Sequence, residues 1–472
     1  MTIFEKNGLC AGESYMNKEK HPVLRKVRRI LRILILCYLL AALVPCFLLP
    51  PYPVKSTESW PQTSRNVDMA ALVEGGGDSL QLRLGLIQSA QKSIRLGTYL
   101  FGVDGSGTEI MAALYQAAER GVQVEILTDG LLGVLNFRND PLVYALGSHE
   151  RVTIYLYNPV DLLLPWNLNS RYHEKYMVVD DETLLLGGRN VSDEFLLEGT
   201  EGYSLDLEVL TVKSGDGVCA ANLAAQRFDD MVHGAFCEAA YGSLRNDSDR
   251  SARETLRMYS VRPGILPGSL SLVPIERAML FGTAPDPSDK TPDVMGAMSR
   301  LADRAQEEVI WCSPYFCLDA PMKASLSHVA DEKQVRLITN SAATGNNVVA
   351  SADGVFHRSM VNRLPCEVWE VQSVYSLHTK AMLLDRRTSV IGSFNMDMRS
   401  CYLDTELMIA LDSPELAQRT LSYLGGLMDT SAPASEMARA TGKGMERAEM
   451  PLRKGVMIYL MSPIISLFRF LV

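Results

Sequence analysis

The chain has 472 residues, of which 47% are hydrophobic. That excludes a disordered polypeptide and leaves either several domains or one large pseudo-symmetric body. The formal net charge is -9, which argues against a long nucleic acid as partner, because such polymers need a basic footprint.

The charge is unevenly spread. Residues 1–32 hold eight Lys/Arg against three Glu. Directly after them, Ile33 to Leu49 form an uncharged apolar run of seventeen residues, near the short end of the roughly 17–25 that span a bilayer. A cleaved signal peptide fits poorly, since the basic region is long and no small-x-small site follows. A lipoprotein signal ending at Cys46 fits poorly because Pro45 precedes it. The expectation is a basic cytoplasmic segment at 1–32 and an uncleaved transmembrane anchor at 33–50. The rest of the chain then lies outside the cytoplasm by the positive-inside rule.

Residues 51–75 contain Pro, Ser and Thr and read as a linker. Beyond them helices and strands alternate. Leu80–Lys92 has helical spacing, Ile94–Phe101 reads as a strand, Thr108–Arg120 as a helix and Val122–Thr128 as a buried strand. The order returns later: a helix over Leu301–Glu308, a strand over Val309–Phe316, a strand over Val335–Thr339. The strand ends echo each other, Ile-Leu-Thr-Asp at 126–129 and Leu-Ile-Thr-Asn at 337–340. This is a duplicated domain-sized unit, and the predicted class is α/β, with each half a mixed sheet flanked by helices. The first half spans 76–240, a connecting region 241–290, the second half 291–430 and a tail 431–472. In the tail, Leu452 to Val472 mixes Arg453, Lys454 and Arg469 with apolar residues. It fits a membrane-surface amphipathic helix as well as a core helix. Six cysteines follow the apolar run (Cys219, Cys237, Cys312, Cys317, Cys366 and Cys401). An oxidising compartment would permit disulfides between them, and buried free thiols fit equally.

The chemistry is carried by two aligned segments. The first runs from His173 through Lys175, Met177, Asp180, Thr183 and Gly187 to Asn190. The second runs from His378 through Lys380, Met382, Asp385, Thr388 and Gly392 to Asn395. Each pair differs by 205 without a gap, and seven of eighteen positions coincide. His-x-Lys in a strand puts both side chains on one face, because the side-chain period is two. Two His, two Lys and two Asn around one site suit a phosphodiester. One His attacks phosphorus, the other protonates the leaving oxygen, and lysines and asparagines hold the non-bridging oxygens. The lysines supply the positive charge, so no metal or other cofactor is expected, and no Cys/His cluster has zinc-ligand spacing.

The doubled H-x-K-x(4)-D pattern resembles the phospholipase D superfamily over most of residues 75–430. Within it, Gly187-Gly188-Arg189-Asn190, the lead-in Asn169 to His173, Thr339-Asn340-Ser341 and Gly392 to Ser400 followed by Asp404-Thr405-Glu406 look most like bacterial cardiolipin synthases. The resemblance implies a phosphatidyltransferase that joins phospholipids such as phosphatidylglycerol through a covalent phosphohistidine at a membrane. His173 would be the nucleophile and His378 the acid. It also implies a carboxylate behind each histidine: Glu406 for the second copy, and for the first Glu208, by its place in the Asp-x-Glu pattern, or Asp206. Asp180 and Asp385, motif members named with the catalytic set, also suit a structural part. Arg171 and Arg399 suit phosphate contact or salt bridges equally. Two departures bear on the acceptor: Asp404 replaces the usual asparagine, and Tyr99–Gly107 is less aromatic than is common. The alternative is a hydrolase with the same site, a phospholipase D or nuclease using water.

Overall fold

A computed structural model describes residues 22–47 and 62–471. Sixteen strands form one continuous sheet. Its centre is an antiparallel pair, Gln62–Val73 against Val273–Gly282, in register from Gln62 opposite Leu280 to Ala70 opposite Val273. Outward from Gln62–Val73 lie strands 208–213, 183–187, 176–179, 93–98, 123–129, 152–157 and 237–240. Outward from Val273–Gly282 lie the counterparts 407–412, 388–392, 381–384, 308–312, 334–340, 367–371 and 431–433. The two halves are thus related by a pseudo-two-fold axis through the central pair, and each supplies an edge that the other covers.

This corrects the expected linker over 51–75. Its last part is the strand on which the first half is built, and residues 51–61 lie outside those described. The Pro/Ser/Thr composition hid the strand. A bulge also interrupts its alternation between Arg65 and Asp68, where Asn66 takes a left-handed φ of 55°. Buried Asp68 then accepts hydrogen bonds from Ser64 Oγ and Ala220 N, tying the bulge to helix Ala220–Val232. Other predicted elements appear with shifted ends. Helix Gly105–Glu119 begins three residues before the expected Thr108, because Asp104 accepts from Gly107 N and caps it. The strands next to the site are buried along their length, as in Tyr176–Val179 and Leu407–Asp412, because helices cover both faces.

Helix Pro22–Phe47 occupies the expected anchor position. Its first turns carry Lys26, Arg28, Arg29 and Arg32, so the described apolar part is Ile33–Phe47, shorter than roughly 17 residues. Leu48, Leu49 and Pro50 lie outside the described residues. Among the described residues no helix is long and apolar enough to cross a membrane, so the expected transmembrane helix finds no support. The helix end docks on the body: Asn169 Nδ2 donates to Ala42 O at 2.9 Å, and the Phe47 and Phe470 rings lie 4.5 Å apart. The C-terminal helix Leu452–Ile465 rides on helix Val348–Asn362 through Ile458 and Ser462, leaving Leu452, Tyr459 and Leu460 exposed. The described cysteines are free thiols.

The hairpins that follow the two His-x-Lys segments are tied down at their far ends. Asp180 accepts from the backbone N–H of Gln91, Lys92 and Ser93 at 2.7–2.9 Å. Asp385 accepts from Gln306, Glu307 and Glu308 at 2.7–3.1 Å. Both stand at positive φ, 55° and 48°, in the hairpin turn. A four-residue strand, about 13 Å long, separates each from its lysine. These carboxylates, named with the catalytic set, are hairpin clasps. Asp180→Ala should therefore cost about 1.5–3 kcal/mol of stability, the range for hydrogen bonds to a charged group. It should leave kcat of the folded fraction near that of the parent. Thermal denaturation beside an activity assay checks both halves of that expectation.

Candidate active site

The His-x-Lys segments lie just before strands Tyr176–Val179 and Ala381–Leu384, not within them. Each is held extended by the opposite half. Ser376–Leu377 pairs in parallel with Ser204–Leu205, and His378 N donates to Leu205 O at 2.7 Å. Tyr172 bridges to Thr405, and His173 N donates to Thr405 O at 3.1 Å. The residue after each of these partner segments is a carboxylate. Asp206 Oδ2 stands 2.6 Å from His378 Nδ1, and Glu406 Oε1 stands 2.8 Å from His173 Nδ1. Each half therefore orients the histidine of the other. Against its burial, His378 and Lys380 hold Asp206 below its usual value. Ionised, it only accepts, so His378 Nδ1 carries the proton and Nε2 is left with its lone pair. At His173 burial pushes Glu406 up, against the pull of Lys175 and the Ser393 hydroxyl.

Glu208 is not one of the pair, which corrects its expected place behind a histidine. It is buried among Arg83 (2.5 Å), Arg189 (3.2 Å) and Ser79. Strand register explains the error. Gly187 faces Glu208 whereas Gly392 faces Met408, so Asp206-Leu207-Glu208 corresponds to Glu406-Leu407-Met408. Aligning on the leucine would have found this; the Asp-x-Glu pattern misled. Arg189 fixes the same stretch by donating to the carbonyl of Asp206, and a Cβ at Gly188 would overlap the Asp206 carboxylate. In the other half Ser393 Oγ donates to Glu406.

Lys175 and Lys380 each donate back to the carbonyl of their own motif histidine, His173 and His378. Both are buried. Burial brings Lys175 down to about 7 and Lys380 to about 8, with Glu406 and Asp206 resisting the fall. Burial, then the neighbouring lysine, drives His378 down to about 3 and holds His173 well below its usual value. Both imidazoles are therefore neutral near pH 7. Lys380 also lowers Lys175, and each lysine lowers the opposite histidine, which brings the two copies into one site. Asn190 Oδ1 accepts from Leu100 N at 3.3 Å, while Asn395 keeps a buried side-chain oxygen without a protein partner, capacity that a ligand can use.

Two aromatic rings escaped the sequence reading. Tyr99 stands edge-on to His173 at 5.1 Å with Lys175 Nζ 5.3 Å from its centroid, and Phe195 stands edge-on to His378 at 4.9 Å. Tyr99 follows a strand paired to Tyr176–Val179, and that pairing is not written locally. Arg399 binds Asp404 at 3.0 Å and Arg171 lies 3.6 Å from Asp129, so both arginines are in salt bridges. Asp404, the atypical residue, also accepts from Arg171 N.

The profile described as "Cardiolipin synthase, PLD-like domain" matches residues 84–230 and 298–428, more than half of the chain. The chain belongs to this family of the phospholipase D superfamily. Relatives include an uncharacterized protein of Helicobacter pylori strain 26695, 26% identical over 75% of this chain and 78% of that one. Cardiolipin synthase C of Escherichia coli K12 is 27% identical over 72% and 80%. The solved phosphatidylserine synthase of Haemophilus influenzae Rd KW20 shares the fold, with TM-score 0.63 and 14% identity over 86% of this chain and 98% of that one.

Two substitutions separate orientation from stability. Glu208→Gln should cost about 3–5 kcal/mol, because two buried guanidinium groups lose their charge partner. Asp206→Asn should keep most of the stability and lower kcat about 100-fold or more, because His378 loses its orienting acceptor. Denaturant melts paired with single-turnover rates check this; equal kinetic losses in both variants would contradict the assignment.

Proposed function

We propose that this protein is a phosphatidyltransferase of the cardiolipin synthase type, acting on membrane phospholipids such as phosphatidylglycerol through a covalent phosphohistidine. The observation that carries it is the reciprocal pair of histidine–carboxylate contacts enclosing two buried lysines. His173 Nε2 attacks phosphorus and the bond to the departing alcohol breaks as His378 gives that oxygen its proton. Because His378 rests neutral, its Nε2 takes that proton from solvent as the incoming phosphodiester anion raises it by direct attraction. In the second step neutral His378 takes the proton of an acceptor hydroxyl, whose oxygen displaces His173. Lys175 and Lys380 neutralise the charge that builds on the equatorial oxygens. The family and the relatives' names support phospholipids as the substrate class. Exposed apolar side chains on the two terminal helices, such as Leu36, Leu40, Leu460 and Ile464, suit a protein that meets its substrate at a bilayer surface.

The test is expression in a host without its own cardiolipin synthases, with lipids resolved by mass spectrometry. Cardiolipin should appear with the intact protein and vanish with His173→Ala and with His378→Ala. Phosphatidic acid in its place would make water the acceptor. No lipid change from a folded protein would overturn the reading.

The lysines set a pH dependence. Their protonated forms bind the anion, and burial brings them to about 7 and about 8. As pH rises through these values the ammonium charge is lost. kcat/KM, which reports the free enzyme, should therefore fall steadily between about pH 7 and 9 for a phosphodiester whose own charge is constant there. A flat profile over that range would contradict the assigned role of the lysines.

A further inference from the structure

The two faces of the site are unequal. On the His173 side stand Tyr99 and the Arg399–Asp404 pair, and both charges are close enough to act on that imidazole. On the His378 side lies a cavity of about 330 Å³, within the roughly 300–1,000 Å³ usual for small-molecule sites. His378 lines it and His173 does not. Both halves build it: Glu194, Phe195 and Ser204 come from the first, and helix Val348–Asn362 closes it from the second.

We infer that this cavity is the alcohol subsite, where a polyhydroxyl headgroup sits both when it leaves and when it attacks. The inference rests on the transferase reading above. In-line displacement puts the entering and leaving atoms on opposite sides of phosphorus. With His173 attacking from its own side, the departing oxygen points toward His378 and the cavity that His378 lines. The return step retraces that path, so the acceptor hydroxyl occupies the same place: its proton goes to His378 Nε2, its oxygen forms the new P–O bond, and the N–P bond breaks.

The lining fits such a headgroup. The Glu194 carboxylate is half-buried, and burial alone raises it, with no hydrogen-bond or ion-pair partner among the described residues. It is an open acceptor for hydroxyl protons. Asn340 and Asn346 line the same cavity, the Asn340 amide bonded at both ends to the backbone of Leu377 and Asn346 Nδ2 donating to Gly202 O, and Arg358 there is already paired with Glu370. Phe195 and Tyr315 supply flat apolar walls for the carbon chain. Gly354 also lines the cavity, and a Cβ built on it meets nothing within 4 Å. A larger side chain there enters open space.

The experiment compares the intact protein with Glu194→Gln and Gly354→Phe, using phosphatidylglycerol vesicles with added glycerol or ethanolamine as competing acceptors beside water. The readout is the ratio of transfer to hydrolysis. Both variants should lower the ratio for glycerol at least fivefold. Gly354→Phe removes a helix-destabilising glycine, and if bulk there nevertheless unfolds the chain, Glu194→Gln still decides. An unmoved ratio in the variants, with the intact protein active, overturns the cavity assignment alone. A loss confined to ethanolamine overturns the polyhydroxyl class. Absence of any phosphatidyl turnover in the intact protein overturns the parent reading and this one with it.

Discussion

The site depends on an exchange. Neither half can orient its own histidine: His173 is held by Glu406 and His378 by Asp206. The exchange works because short parallel pairings, Ser204–Leu205 with Ser376–Leu377 and Tyr172 with Thr405, lay each carboxylate segment against the opposite motif. Those pairings in turn need the central strands Gln62–Val73 and Val273–Gly282 to set the halves in one register. The continuous sheet is thus what fixes two hydrogen bonds of 2.6 and 2.8 Å.

Two ammonium groups and two carboxyl groups gathered in one buried place are costly to desolvate. The fold offsets this locally. The lysines donate to their own motif carbonyls, Ser393 donates to Glu406, and Arg189 braces the backbone of Asp206. What remains is a site with neutral imidazoles and easily lost lysine protons. An incoming anion there meets donors already fixed in place, and preorganisation of that kind lowers the reorganisation a reaction must overcome.

Much of this was legible in the sequence. The constant offset between His173–Asn190 and His378–Asn395 announced the duplication, and the alternation of helix and strand announced an α/β body. Local spacing failed wherever partners are chosen across the chain. The true counterpart of Glu406 is Asp206, which only the register against Gly187 and Gly392 reveals. Gln62–Val73 looked like linker because its bulge breaks the alternation that marks a strand. Tyr99 and Phe195 reach the histidines through contacts that no short pattern encodes. The two aspartates closing the motif were conspicuous in the text yet serve the hairpin turns, since their spacing from the lysine is that of a strand's length.

The crossed carboxylates also give the protein a sense of its own completion. His173 and Glu406 are 233 residues apart, and translation at about 5–20 residues per second needs roughly 10–50 s to cover that distance. During that interval the nascent first half holds a histidine with no acceptor behind it, and the edge of Gln62–Val73 that Val273–Gly282 later covers is still open. A prematurely ended chain would carry one whole motif yet lack the group that sets its imidazole. A fully oriented site is in this way withheld from fragments without any separate inhibitor.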